Sequence, residues 1–303
     1  MSQTLPASIR VIERNWLSSN IVVFDNGSSV SIVDTGYIKH AALTEALIDS
    51  VRGNNPVGEI INTHLHSDHC GGNARLVLRH GCGLRVPAPS FERCVRWDRA
   101  ALSFDATGQL CDRFSPTGSI EPGEVLHLGG LDWQVLAAPG HDPDSIVLFE
   151  PDHRILISAD ALWQDGFGVI FPELSGESGF AEQAAMLDLI ERLGPVTVIP
   201  GHGPVFKDVA GALARARSRL DFQRNNPDRH ARYAMKVLVS YLMLEFERAS
   251  RSQLIGRLQR ATIVRSTAGI LALDVDAAID QAIDGLKAGG RLSQDASGIL
   301  ISQ

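Results

Sequence analysis

Residues 62–72 read NTHLHSDHCGG, and His64, His66, Asp68 and His69 crowd three imidazoles and a carboxylate into one short stretch. Neutral imidazole and carboxylate are donors for zinc, iron or manganese. On extended chain leaving a strand, alternate residues point the same way, so His64 and His66 can reach one metal ion together. A turn at Ser67 then swings Asp68 and His69 toward a second ion. The competing reading, a loop that is merely polar, does not account for the H-x-H-x-D-H spacing.

A metal centre needs further donors, and lone candidates stand at the ends of later apolar runs. His141 lies in AAPGHDPDS, Asp160 in LISADAL and His202 in VIPGHGP. Strand-end loops are where a rigid scaffold places functional side chains. The set then balances, with His64, His66 and His141 on one ion, Asp68, His69 and His202 on the other, and Asp160 between them.

These donors need strands and helices to aim them. IVVFDNGSSVSIVDTG reads as two strands joined by an Asn-Gly turn, and KHAALTEALIDSVRG as a helix stopped by Gly53. VGEII is an apolar strand running into the histidines. Hairpins punctuated by Gly129-Gly130 and Pro151-Asp152 follow, then a helix in ESGFAEQAAMLDLIERLG and a short strand in VTVIPGHG. Strands followed by helix-strand alternation, in two halves, predict two sheets between helices. Beyond residue 207 the text turns helical to about residue 263. Two shorter helices and a final hairpin at Gly298 come next, which predicts a helical, winged-helix-like accessory domain over 208–303 after a catalytic domain over 1–207.

THLHSDH, PGHDPDS, SAD and PGHG, in that order and preceded by VDTG, resemble the motifs of the metallo-β-lactamase-fold hydrolases. The resemblance covers roughly residues 8–208. It implies a four-layer αββα sandwich of two mixed sheets flanked by helices, with a dinuclear site, usually zinc, at one edge and Asp34 bracing the metal-binding loop. Two metals about 3.5 Å apart share a water and bring its pKa near neutrality. The expected chemistry is therefore hydrolysis by a metal-bridging hydroxide, with Asp68 orienting it and shuttling its proton. His40, His80, His127, His153 and His230 fit no motif, and Cys70 is outside the ligand pattern.

Departures from the family narrow the substrate. No cysteine replaces a second-metal donor and Asp160 occupies the bridging place, unlike true lactamases. The interval from Asp160 to His202 is too short for the inserted domain of nucleic-acid-processing members. Trp163 stands where lactonases carry a tyrosine. A glyoxalase-II-like enzyme of thioesters or other small acyl esters is the first expectation. An endoribonuclease or phosphodiesterase, or a mononuclear-iron persulfide dioxygenase, is the alternative. From Lys207 to Arg265, 13 Lys/Arg face 5 Asp/Glu, either an anion-binding surface or a solvated face balancing an acidic domain; a small acyl substrate ranks above nucleic acid. Trp163, Phe167 and Phe171 either line the substrate pocket or anchor the second sheet.

Composition sets the outer limits. The chain has 303 residues, 44% hydrophobic and 21% charged, with net charge −7, a globular profile that disfavours non-specific nucleic-acid binding. No window approaches the roughly 18 uninterrupted apolar residues of a spanning helix, so no membrane is expected. The start lacks the pattern of a signal peptide, and four scattered cysteines suggest reduced thiols in a cytoplasm.

Overall fold

The computed structural model describes residues 5–303. Strands β1 (Ile9–Ile12), β2 (Ile21–Asp25), β3 (Val30–Val33), β4 (Val57–Ile61), β5 (Gly83–Pro87) and β6 (Gly118–Ile120) form one sheet in that order. The first three are antiparallel and the rest parallel. Strands β7 (Val125–Leu128), β8 (Leu131–Ala137), β9 (Ile146–Glu150), β10 (Ile155–Ala159) and β11 (Thr197–Pro200) form the second sheet in the order β11-β10-β9-β8-β7. Only β10 and β11 run parallel in it. Strands β9, β10 and β11 are buried along both faces, which is why they read as unbroken apolar runs rather than alternations.

Three hydrophobic layers result. Phe24, Ile61, Trp133, Leu148 and Ile199 mesh between the sheets, with Phe24 edge-on to Trp133 at 5.2 Å. Outside the first sheet lie α1 (Ala41–Arg52), α2 (Ser67–Cys70), α3 (Asn73–His80), α4 (Ala88–Arg96) and α5 (Phe104–Thr107). Ala41, Thr44 and Ile48 make the buried stripe of α1 at helical spacing. After the one-turn α6 (Phe171–Leu174), α7 (Phe180–Leu193) and α8 (Val209–Asn225) cover the second sheet. The αββα sandwich expected from the sequence is present.

The remaining helices α9 (Pro227–Phe246), α10 (Arg251–Leu258), α11 (Thr262–Ile270) and α12 (Val275–Ala288) share their own core. A small antiparallel sheet of β12 (Arg248–Ala249), β13 (Leu292–Gln294) and β14 (Leu300–Ser302) closes it. The helical text expected to run on to residue 263 is broken three times, at residue 226, over 247–250 and over 259–261. Asn226 precedes Pro227 and leaves helical geometry, and Glu247 sits at φ 61°. Val169 and Leu174, from the segment after β10, are buried in this C-terminal core. Among the described residues no helix is long and apolar enough to cross a membrane.

Because Trp133 is fully buried between the sheets, Trp133→Ala should cost about 3–5 kcal/mol in urea unfolding. A loss below about 1 kcal/mol would show that the two sheets do not depend on this contact.

Candidate metal centre

Every predicted donor follows the C-terminal end of a strand, at one edge of the sandwich. His64 and His66 follow β4, and Asp68 and His69 ride on α2. His141 follows β8, Asp160 follows β10 and His202 follows β11. Asp34 follows β3, and it and Ala159 hold φ values of 59° and 45°, a conformation unfavourable for residues with a Cβ. Such departures persist where surrounding structure enforces them. Two glycines are needed for close approach. A Cβ on Gly201 would lie 2.2 Å from Asp160 Oδ1, and one on Gly168 would lie 2.4 Å from His141 Nδ1.

The structure brings all seven residues into one buried cluster. His66 Nδ1 lies 3.1 Å from His64 Nε2 and 2.7 Å from His141 Nε2. His202 Nε2 lies 3.1 Å from Asp68 Oδ2, and His69 Nε2 is 4.0 Å from that oxygen. Asp160 faces both groups: Oδ1 is 3.3 Å from His69 Nε2 and 3.9 Å from His202 Nε2, while Oδ2 is 3.4 Å from His141 Nε2. His64/His66/His141, Asp68/His69/His202 and His64/His69/Asp160 are each close enough together to hold a metal ion.

Outward hydrogen bonds select the nitrogens that face inward. His69 Nδ1 donates to Asp34 Oδ2 at 2.7 Å, and His141 Nδ1 donates to the Val169 carbonyl at 2.5 Å. Asp34 also accepts from the Thr63 backbone N–H and hydroxyl, at 2.9 and 2.7 Å. The Asp142 carboxylate lies 3.5 Å from His66 Nε2, on the far side from the cluster. Nε2 of His69 is buried with no hydrogen-bond partner. Ring nitrogens and carboxylate oxygens that converge on common centres, with acceptors behind the rings, are what divalent metal requires, so the donor set fits such ions.

Charge in the cluster is strongly coupled. Burial and neighbouring histidines push His64 well below its ordinary pKa, and burial takes His141 to about 4. Burial opposes charge on His69 as well, but Asp160 and Asp34 hold it well above its ordinary value. Burial raises Asp68 and Asp160, yet the facing histidines leave both below the usual carboxylate range.

The aromatic residues separate by role. Trp163 donates its indole N–H to Asp160 Oδ1 at 3.2 Å and meets His202 edge-on. Phe171 stands near His66 and His141, at ring distances of 5.7 and 5.9 Å. Phe167 is fully buried in the core behind the second sheet, so it anchors that sheet rather than lining a pocket. Sequence reasoning missed Trp16, 56% exposed and stacked on His202 at 5.3 Å, because nothing in its local text marks it. It also missed Asp142, whose position beside His141 was the available signal. Asn20 went unnoticed too, although its side chain donates to the carbonyls of Pro200 and Gly203 and so pins the His202 loop. Tyr241 of α9 has its hydroxyl 3.0 Å from that of Ser67, next to Asp68. Of the histidines outside the motifs, His230 is buried and faces the Ile170 carbonyl at 3.0 Å. All four cysteines are free and buried.

Two facing mixed sheets, helices outside them and a buried His/Asp cluster at one edge define an α/β protein built around a candidate metal centre. The sequence model of the metallo-beta-lactamase superfamily matches residues 14–202, more than half of the chain, and the chain belongs to that superfamily. Hydroxyacylglutathione hydrolase of Rhodopseudomonas palustris (strain HaA2) is 35% identical over 113 residues, 37% of this chain and 37% of that one. The chain thus matches little more than a third of that relative's length. Acyl-coenzyme A thioesterase MBLAC2 of Homo sapiens is 26% identical over 192 residues, 59% of this chain and 67% of that one. A metallo-beta-lactamase family protein from Thermus thermophilus superposes with a TM-score of 0.59 at 17% identity, covering 99% of this chain and 100% of its own. That likeness is one of fold, and it takes in the C-terminal helices.

Asp34→Asn keeps a residue that tolerates the left-handed backbone but removes the charged acceptor behind His69. It should weaken metal affinity by about 10–100-fold in competition with a chelator. His69, raised above its unfolded pKa, stabilises the metal-free fold at low pH, and that contribution is lost as pH rises through its folded value. Metal uptake at pH 7 should therefore release protons, and the release should shrink as pH rises through that value. Uptake with no proton release at pH 7, followed with an indicator dye, would contradict this assignment of charge.

Proposed function

We propose that this chain is a metal-dependent hydrolase of thioesters or other small acyl esters, working from a dinuclear centre. His64, His66 and His141 would hold one ion and Asp68, His69 and His202 the other, with Asp160 placed to serve both. The observation that carries this reading is Asp160, whose two oxygens address different donor groups. Zinc is the first candidate for both ions, with iron or manganese compatible with the same donors.

Divalent metal bound there brings the pKa of water near neutrality and polarises an acyl carbonyl. Asp68 remains ionised at neutral pH because His202 and His69 face it, which makes it the group that orients the attacking water and accepts its proton. Trp163 fixes the Asp160 carboxylate through its indole N–H, the place where a lactonase would have a tyrosine. Val169 O and Asp34 keep the histidine rings from turning.

The names of the two relatives, a glutathione thioester hydrolase and a coenzyme A thioesterase, support a thioester over a phosphodiester. So does the basic text after residue 207. Arg215 pairs with Asp165 and Asp208, and Arg217 with Asp188 and Glu191. Those cations balance acidic neighbours instead of waiting for a phosphate backbone.

The test is a hydrolysis panel of acyl thioesters, aryl esters, lactones, phosphodiesters and short RNA, run on protein of measured metal content. Thioester turnover is expected, with Asp68→Ala lowering kcat by about 10²–10⁴-fold. RNA cleavage without ester or thioester turnover would reverse the reading. One iron per chain would replace the dinuclear hydrolase with the mononuclear oxidation of sulfur.

A further inference from the structure

A cavity of about 340 Å³ opens beside His66 and His141. We propose that it is the acyl pocket of this enzyme and that it selects uncharged acyl groups, an inference that rests on the thioester reading above. Its volume lies near the bottom of the roughly 300–1,000 Å³ that encloses a drug-sized ligand. It therefore takes one part of an acyl carrier and not the whole.

Position and chemistry identify which part. Leu65, Leu102, Phe171, Pro172 and Ile263 line the cavity with apolar surface, and all but Phe171 are buried. Ile263 comes from α11, so the wall is completed by the C-terminal helices. Asp142 and Asp144 also belong to the cavity wall, as does the exposed Glu177. Arg93 is the one Lys or Arg among the lining residues. Its guanidinium is 2.9 Å from Asp144 Oδ2, which also accepts from the Ser90 hydroxyl at 2.6 Å. Away from the metal-donor end at His66 and His141, a substrate carboxylate or phosphate would meet carboxylates and no unpaired Lys or Arg among the lining residues, and like-charge contact of this kind rejects a ligand. Glutathione and coenzyme A are both anionic, so the thiol half is excluded by the same wall. An uncharged acyl chain gains contact with the apolar side at no such cost.

Thioesters of N-acetylcysteamine isolate the acyl half, because that thiol is neutral. With metal-loaded enzyme, butyryl thioester should exceed succinyl thioester in kcat/KM by at least about tenfold. Ile263→Trp fills the cavity and should lower the octanoyl-to-acetyl ratio by about tenfold or more. Ala106→Phe, at a half-exposed position on the cavity wall, should move the ratio the same way and carries the test if the first variant does not fold. Asp144→Asn frees Arg93 and should raise the succinyl-to-butyryl ratio severalfold. Wild-type enzyme that prefers succinyl, or folded cavity variants with an unmoved octanoyl-to-acetyl ratio, would overturn the pocket and leave the thioester reading standing. No hydrolysis of any thioester by metal-loaded wild type would overturn that reading, and the pocket with it.

Discussion

The Asp34 carboxylate accepts from the Thr63 backbone, the Thr63 hydroxyl and His69 Nδ1, and each bond ties down a different part of the centre. The first two fix where the chain leaves β4, which decides where His64 and His66 begin. The third sets the ring of His69 and leaves Nε2 facing the cluster. A carboxylate buried this deeply is costly unless its lone pairs are satisfied, and here three donors meet it. The left-handed backbone at Asp34 follows from the same need, since β3 must end abruptly for the side chain to reach across to β4.

Departures from local folding rules gather at this edge, although left-handed residues with a Cβ also occur elsewhere, as at Trp97, Ser103 and Glu247. Ala159 carries a left-handed backbone just before Asp160, and His66 Nδ1 lies within 3.1 Å of ring nitrogens of both His64 and His141. Glycines at 168 and 201 leave room for His141 and Asp160 where any side chain would collide. Away from the edge, helices stop at left-handed glycines such as Gly194 and strands bury unbroken apolar runs. Strained backbone, glycines required for clearance and converging donors at one edge are the mark of a functional site.

The parts of the site legible in the sequence were those encoded by neighbours. The H-x-H-x-D-H spacing places four donors on one loop and its short helix, and strand-end Gly and Pro flag His141 and His202. The hairpins at Gly129-Gly130 and Gly298 were legible for the same reason, because turn conformation is written in the turn residues. What was not legible depends on distant packing. Trp16 meets His202, and Tyr241 meets Ser67, only after the sheets and α9 have docked. Helix α8 was plain as a helix, but its low amphipathic contrast, with RARSR in its middle, gave no sign that Leu213, Ala216 and Leu220 bury against the second sheet. Phe167 and Phe171 had equal standing in the text, and only the tertiary fold sends one to the core and the other to the site.

The Val169 carbonyl that orients His141 belongs to a residue whose side chain is buried among α9–α12. The orientation of His141 is thereby tied to packing among residues far later in the chain than the H-x-H-x-D-H motif. One residue thus serves two masters, its carbonyl serving a metal-ligand candidate and its side chain the C-terminal core, so a change in that core can reach the centre through a single peptide unit.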